Sequence, residues 1–454
     1  MSSPRVYDKS VWDTATGLNF EPPFPFSPFG NEPYRHHDFP PLFHNIELVG
    51  HSDLNGRGDG FQLSKEGDYL YFCHMFSSGF SVVNVKDPTS PTVEAFVGTG
   101  NPHTWSIKCR VLNNILLVNN EWKFFEPFAY HLPRPPNVPN IMTEYGDTGP
   151  REPIQPGIKI YDVSKPSEPK LLSFFKTGGW SKSGGGVCCH RFWYDGHYAY
   201  LAAEMPGYNG HIMVIVDVSD PRNPEEVSKF WLQGQHTAGG ERPSWPPSIR
   251  CRCQLHHPIV QGDRAYTTWF GLGGAIVDIS NIHRPTMVSH FNFDMGGQNH
   301  TFLPIQDRRF AVFVAEYEHA WMLDISDEKY PKVVAMFPLQ PKELLKRGVG
   351  WTFGPSIHNV HENPPGPDAY RSDKRLYTAC GPGGARVYDV SDPYRIEELG
   401  YYVPGTPKVY HDPRGPEHQS VGTGVDLAEV YVDKQGLMYC SNYNSGLDIL
   451  KFTG

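Results

Sequence analysis

The chain has 454 residues, including 45 glycines and 43 prolines, an aromatic content of 13% and a formal net charge of -9 at pH 7. The length exceeds one ordinary domain, which predicts either several domains or one large repetitive architecture. The acidic balance, without a basic stripe, argues against nucleic acid or an anionic membrane surface as the main partner. Abundant turn formers and few helical periodicities favour an all-β protein of many short strands.

The N-terminal sequence lacks the pattern of a secretory leader, and no segment is an apolar run long enough for a membrane-spanning helix. We therefore expect a soluble, cytoplasmic protein. The eight cysteines are spread thinly and show no repeated CxxC motif, so neither a disulfide framework nor a zinc cluster is predicted.

One phrase recurs six times along the chain: an apolar strand, a turn that opens with Asp or Asn, and a second strand. Short polar side chains at such a turn bond to their own backbone, and proline presets φ, so the phrase predicts a tight reversal. The copies are FSVVNVKDPTSP, IKIYDVSKPSEP, MVIVDVSDPRNP, GAIVDISNIHRP, AWMLDISDEKYP and ARVYDVSDPYRI, with their turns at Asn84, Asp162, Asp217, Asp278, Asp324 and Asp389. A seventh strand of this kind, GLDILKF, lies near the C-terminus.

Two further strands precede each copy, which gives four strands per unit and seven units. This pattern predicts a seven-bladed β-propeller over residues 43–454. The seventh outer strand is missing at the C-terminus but is present near the start, as FHNIELVGH at residues 43–51. We expect this N-terminal strand to complete the last blade, so that no sheet edge is left unpaired.

Two segments fall outside the repeat. Residues 1–42 are rich in proline and phenylalanine and predict an extended arm that packs on the propeller or on a second copy of the chain. Residues 121–157 form a long insertion in blade two, and such insertions serve as lids, pocket walls or contacts between copies. Either segment can support a homo-oligomer.

The sequence MVIVDVSDPRNP and its copies resemble the LVIVD-repeat family, which implies a seven-bladed propeller. The likeness covers almost the whole chain from about residue 43, and it is specific for fold rather than function. The chain is more distantly similar to propellers with histidine metal sites: selenium-binding methanethiol oxidases, carotenoid cleavage oxygenases and oligogalacturonate lyases. No motif places it inside any of these three.

Histidines recur where the innermost strands of five consecutive blades begin, facing one mouth of the central channel. Converging imidazoles repel one another when protonated, so a ring of them needs a metal, an anion or neutral tautomers held by partners. Imidazole-rich sites suit transition metals, and a bound metal is the prediction. The predicted ligands are His103, His190, His257, His300 and His358, with His256 and His361 as alternates and with Asp59 and Asp426 from blades one and seven.

The second strand of three blades ends in glutamate, at Glu121, Glu204 and Glu316. Ligating histidines usually donate their other N–H to a carboxylate or a carbonyl, so these residues can orient the ligands. Glu204, Glu316 and His361 are the predicted catalytic groups. The alternative is that the glutamates lie at the rim of the propeller, exposed to solvent.

These patterns predict a metal-dependent enzyme that acts on a small organic molecule. The expected cofactor is one transition-metal ion, Fe, Cu or Mn before Zn. Oxidation or oxygenation is the first prediction for the reaction. A metal-dependent lyase or hydrolase is the second, and a non-catalytic interaction platform is the third.

Overall fold

The computed structural model describes residues 39–75, 77–100, 104–122, 155–178, 189–245, 253–293, 298–316, 319–338, 356–408 and 425–454. Within these residues the chain forms the seven-bladed β-propeller that the repeats predict. Residues 1–38 of the predicted arm, His103 and residues 123–154 of the insertion lie outside the described ranges.

The first half of the propeller follows two N-terminal strands that belong to its last two blades. Blade one is β3 to β6, blade two is β7 to β11, and blade three is β12 to β15. The strands are β1 (Leu42–His44), β2 (Ile46–Ser52), β3 (Gly60–Glu66), β4 (Tyr69–His74), β5 (Gly79–Asn84), β6 (Thr92–Gly98), β7 (Thr104–Trp105), β8 (Cys109–Leu112), β9 (Ile115–Trp122), β10 (Gly157–Asp162), β11 (Lys170–Lys176), β12 (Cys189–Tyr194), β13 (Tyr198–Glu204), β14 (His211–Asp217) and β15 (Glu225–Phe230).

The second half contains blades four to seven, whose own strands are β16 to β19, β20 to β23, β24 to β27 and β28 to β30. The described helical structure is a 3₁₀ turn at Thr237–Gly239. The strands are β16 (Leu255–Gln261), β17 (Arg264–Trp269), β18 (Gly273–Asp278), β19 (Thr286–Phe291), β20 (Gln298–Ile305), β21 (Phe310–Glu316), β22 (Ala320–Asp324), β23 (Lys332–Met336), β24 (Asn359–Val360), β25 (Arg375–Ala379), β26 (Ala385–Asp389), β27 (Glu397–Val403), β28 (Leu427–Val432), β29 (Leu437–Asn442) and β30 (Gly446–Phe452).

The repeated turn has the predicted side-chain chemistry. In blade three the Asp217 carboxylate accepts a hydrogen bond from the Ser219 backbone N–H, with Oδ1 and N 2.8 Å apart. The same bond, two residues along the chain, closes the other five copies, at Asn84, Asp162, Asp278, Asp324 and Asp389. The phrase therefore recurs because each blade reverses its third strand into its fourth with the same Asx turn.

The N-terminal strands close the ring and do more than was predicted. β2 pairs antiparallel with β30 and becomes the outer strand of blade seven, which confirms the expected closure. The preceding strand, β1, instead pairs with β27 and extends blade six. One short segment therefore covers the outer edges of two neighbouring blades and joins them.

The core lies between the blades. Buried apolar side chains from facing sheets pack together, and the largest such cluster joins blades three to six. The innermost strands of neighbouring blades also contact one another around the channel. Among the described residues, no helix has the length and apolar character that a bilayer crossing requires. The cytoplasmic location stays a prediction.

Candidate metal centre

An extra residue interrupts the innermost strand in most blades. A bulge of this kind re-aims side chains, so two successive residues can face the channel where a regular strand would send them to opposite faces. In blade two, Trp105 pairs with Glu121 while Cys109 pairs with Val118, which leaves one residue unmatched. Register shifts occur in the same place between Gly60 and Leu63, Cys189 and Phe192, Leu255 and His257, Asn299 and Thr301, and Leu427 and Glu429.

The first of the two successive positions forms what we call the first ring. Its four histidines come from consecutive blades, and their ring centroids are 5.1 Å apart for His190 and His256, 3.9 Å for His256 and His300, and 4.7 Å for His300 and His358. The other members are apolar and form a buried cluster with Trp105. In blade order the first ring is Phe61, Ile107, His190, His256, His300, His358 and Ala428.

Three imidazoles of the first ring are held in the neutral form that binds metals. Burial keeps the pKa of His256, His300 and His358 well below the usual value, so these side chains are neutral at pH 7. The Nδ1 of His256 donates a hydrogen bond of 2.8 Å to the carbonyl oxygen of His300. Its Nε2 has no hydrogen bond among the described residues and is open to a ligand.

Two glutamates approach the histidines from the neighbouring blade, as the sequence predicts. Glu121 of blade two accepts a hydrogen bond of 2.9 Å from the Nδ1 of His190 in blade three. Glu316 of blade five lies 3.2 Å from His358 of blade six, measured from Oε1 to Nε2. Both carboxylates are buried, so the solvated-rim alternative is wrong for this pair.

Three side chains come close enough to share one ion. One ligand atom each from His300, Glu316 and His358 lie within 4.8 Å of one another. Two imidazoles and one carboxylate form a donor set that suits Zn²⁺, Fe²⁺ or Mn²⁺. The ring of His256 packs against His300 and makes His256 the nearest candidate for a further ligand.

Glu204 occupies the position in blade three that Glu121 and Glu316 occupy in blades two and five, but its environment differs. The side chain is buried, and its Oε2 atom has no hydrogen-bond partner in the described part of the chain. Burial raises the pKa of Glu204 to about 8. The group is therefore a protonated carboxylic acid at neutral pH, able to donate a proton.

The next residue in each inner strand forms a second ring, which is polar throughout. Arg191 is fully buried and reaches across the channel to blades six and seven. Its guanidinium donates hydrogen bonds to Asn359, to Glu362 at 2.6 Å and to Glu429 at 3.0 Å. Arg110 donates a 2.6 Å hydrogen bond to the other oxygen of Glu362. In blade order the second ring is Gln62, Lys108, Arg191, His257, Thr301, Asn359 and Glu429.

Two of the predicted histidine ligands are not among the first-ring residues that the structure describes. His103 lies outside the described residues, and the register of blade two gives the corresponding place in the first ring to Ile107. His257 belongs to the second ring, where its Nδ1 lies 3.4 Å from the Glu362 carboxylate. Its neighbour His256, predicted as an alternate, takes the place in the first ring.

His361 and Asp59 were also predicted as site residues, but each is bonded to groups outside the first ring. Both ring nitrogens of His361 bond to backbone, because Nε2 donates to the Tyr370 carbonyl and Nδ1 accepts from the Val432 N–H. No nitrogen is left for a metal or a proton transfer. Asp59 is buried and accepts hydrogen bonds from His74 and Ser77.

Asp426 is partly buried in blade seven, at the start of its inner strand. The Oδ1 atom lies beside Gly381, where an added Cβ would approach it to 3.2 Å. The register gives the first-ring place of this blade to Ala428, two residues later. Blade seven therefore contributes an apolar group, rather than a carboxylate, at the level of the imidazoles.

Sequence reasoning missed the charged residues of the channel. Lys108, Arg191 and Glu429 occupy the second ring, and Arg110 and Glu362 extend their network. The available signal was the residue immediately after each histidine, since HisArg at 190 and HisHis at 256 pair two polar groups in one inner strand. Ordinary strand alternation assigns such neighbours to opposite faces, and the bulge overrides that expectation.

Comparison with known proteins agrees with the repeat. The model of the LVIVD repeat matches residues 190–231 and 259–293. The chain carries LVIVD repeats. No curated protein sequence matches the LVIVD-repeat chain.

Solved structures also resemble the LVIVD-repeat chain in fold. The periplasmic gluconolactonase of Pseudomonas aeruginosa superposes with a TM-score of 0.50 and 10% identity, over 90% of this chain and 100% of its own. A Bacteroides uniformis protein, provisionally named a 6-phosphogluconolactonase, has a TM-score of 0.50 and 9% identity over 74% and 83%. At these identities the likeness shows the fold alone.

The Arg191 network generates a stability prediction. The substitution Arg191→Met should lower the free energy of unfolding by about 3–5 kcal/mol, because it leaves Glu362 and Glu429 buried without their common cation. Arg395→Met is the matched control, since Arg395 forms an exposed pair with Glu397 and should change stability by less than about 0.5 kcal/mol. Urea unfolding monitored by circular dichroism measures both, and equal midpoints for the two variants would contradict the assigned role of Arg191.

Proposed function

We propose that this LVIVD-repeat propeller is a metal-dependent hydrolase of a small organic substrate, with the ion held by His300, Glu316 and His358. The observation that carries the proposal is the approach of three ligand atoms to within 4.8 Å of one another at one end of the channel. Histidines that merely pack between blades have no reason to meet a carboxylate at this spacing.

The surrounding residues fit a bound cation. The imidazoles are neutral, Glu316 supplies one negative charge, and Glu121 fixes the ring of the neighbouring His190 through its Nδ1. A divalent ion in this place would act as a Lewis acid toward a carbonyl and would make a bound water more acidic. The apolar half of the first ring faces the imidazoles and excludes bulk water from that side.

Hydrolysis is favoured over the oxidation that was predicted first, because of Glu204. A buried carboxylic acid with a pKa of about 8 can donate a proton to a leaving alcohol near neutral pH, which oxygenation does not require. Its register position matches those of Glu121 and Glu316, both of which reach the histidines. The fold shared with proteins named as gluconolactonases is compatible with hydrolysis and adds nothing on mechanism.

Oxidation is the second candidate, and one observation supports it. His190 and His256 continue the row of imidazoles beside His300, and an imidazole-rich environment also suits Fe or Cu. The two reactions consume different second substrates, water for hydrolysis and dioxygen for oxygenation. They are therefore separated by assaying each reconstituted form for acid release from esters and for dioxygen consumption.

The metal site generates the next prediction. Freshly purified full-length protein should contain about one transition-metal ion per chain, and His300→Ala should reduce that content by at least about 10-fold because it removes one ligand. His290→Ala is the matched control, since His290 lies on an outer strand and bonds to the Leu272 carbonyl. Elemental analysis measures both variants, and a wild-type content near zero after reconstitution with Zn²⁺, Mn²⁺ and Fe²⁺ would refute the proposal.

Glu204 generates a prediction on pH. If this group donates a proton, kcat/KM for hydrolysis by the metal-loaded enzyme falls as pH rises through about 8, where the acid loses its proton. Glu204→Gln should reduce kcat by about 10²- to 10⁴-fold and abolish that alkaline limb while leaving metal content unchanged. The measurement is a pH profile on gluconolactone and a panel of small esters. An unaltered profile in the variant removes Glu204 from the reaction.

A further inference from the structure

Lys108 is a buried cation directly beside the candidate metal centre. The backbone around it is fixed, because its N–H donates to the Asn119 side chain at 2.8 Å and its carbonyl accepts from the Asn119 N–H at 2.9 Å. The side chain is 1% exposed, and Nζ lies 4.0 Å from the centre of the Phe61 ring. Phe61 belongs to the first ring and packs edge-on against His358, with 6.2 Å between ring centroids. The ammonium and the candidate ligand thus contact the same aromatic side chain.

The other cations of the channel have anionic partners. Arg191 bonds to Glu362 and Glu429, and Arg110 bonds to Glu362. Lys108 makes no ion pair or side-chain hydrogen bond among the described residues, and its contact with Phe61 is a cation–π interaction. An ammonium taken out of water without an anion in contact is costly, and a ligand carboxylate bound to it would offset that cost.

We propose that Lys108 binds the carboxylate of an anionic substrate, whose reacting group then lies at His300, Glu316 and His358. The inference rests on the proposed function and names its substrate class: small organic acids with an apolar portion. The ammonium supplies the charge, and Phe61, Trp105, Ile107 and Ala428 supply the apolar surface. A single ammonium matches a carboxylate monoanion, whereas a phosphate dianion requires more hydrogen-bond donors than Lys108 and these apolar side chains offer.

The lowered pKa of Lys108 agrees with this role. Burial and the charge of nearby Arg191 lower the pKa of Lys108 to about 7, and the carboxylates of Glu429, Glu121 and Glu316 offset only part of that shift. A carboxylate bound beside Nζ favours the protonated form, so binding and protonation of the lysine support each other.

The experiment compares two probes of the same shape, benzoate and benzamide, by calorimetry on metal-loaded and metal-free full-length protein. Wild type should bind benzoate about 10- to 100-fold more tightly than benzamide, the difference expected for a charge-assisted contact. Lys108→Met should abolish this preference, and Lys108→Arg should restore part of it. Lys159→Met is the matched control, because Lys159 also lies over an aromatic ring, Phe174, but on a third strand away from the channel.

Each outcome decides between the two proposals. If wild type prefers benzoate and Lys108→Met removes that preference, the carboxylate site is supported, whether or not metal is bound. This result stands even if the protein binds no metal and the hydrolase proposal fails. Equal affinities of wild type for the two probes overturn the Lys108 proposal, and this comparison does not depend on any variant folding. A preference that appears only with metal and survives in Lys108→Met also overturns it, because the ion then holds the carboxylate.

Discussion

The extra residue in the inner strands is the constraint on which the channel depends. A regular strand presents every second side chain to one face, so each blade would give the channel one residue per level with a gap between levels. The bulge makes two successive residues usable, His190 and Arg191 in blade three and His256 and His257 in blade four. Because the blades repeat, the same irregularity produces two rings, one that contains the candidate metal ligands and one of buried polar and charged side chains.

The two rings differ in composition and in the contacts that their side chains make. The first ring has four imidazoles on one side, of which burial keeps His256, His300 and His358 neutral, and apolar groups on the other. Under the proposed function, this arrangement holds a cation beside an apolar substrate surface. The second ring places Arg191 across the channel, where it contacts carboxylates from two opposite blades. Desolvation of the charges opposes the formation of such a buried network, but breaking one of its contacts leaves a buried charge unpaired, which is strongly destabilising. The network therefore fixes the relative positions of blades three, six and seven. Lys108 is the cation of this ring whose side chain makes no ion pair or hydrogen bond among the described residues, although Glu429, Glu121 and Glu316 lie near enough to act on its charge.

The fold could be predicted from sequence because the same strand–turn–strand pattern recurs in successive blades. Each copy of the turn carries its own Asp or Asn and closes through its own Asx hydrogen bond, so six independent observations agree. Ring closure by β2 also followed from the missing outer strand. The pairing of β1 with blade six could not be foreseen, since three residues carry too little pattern to name a partner.

The residue types of the candidate site could be predicted from the sequence, but the exact position within each inner strand could not. His190, His300, His358 and their glutamates were identified because a histidine recurs at the start of successive inner strands. A shift of one residue decides between His256 and His257, and a shift of four separates His103 from the position that Ile107 fills. His361 appeared equivalent by sequence yet bonds to backbone through both nitrogens. Arg191 and Glu362 are joined by a contact across the channel, and Lys108 lies over Phe61 of the neighbouring blade, which no local pattern in the sequence predicts.

The proposed function depends most on an ion bound at His300, Glu316 and His358. The test is an anomalous difference map, calculated from data collected at the metal's absorption edge on crystals of the full-length protein reconstituted with the metal found at highest occupancy. One strong peak is expected about 2.0–2.2 Å from a nitrogen of each histidine and from a Glu316 oxygen. A loaded crystal with its anomalous peak elsewhere, and with these three side chains bonded only to one another, would contradict it.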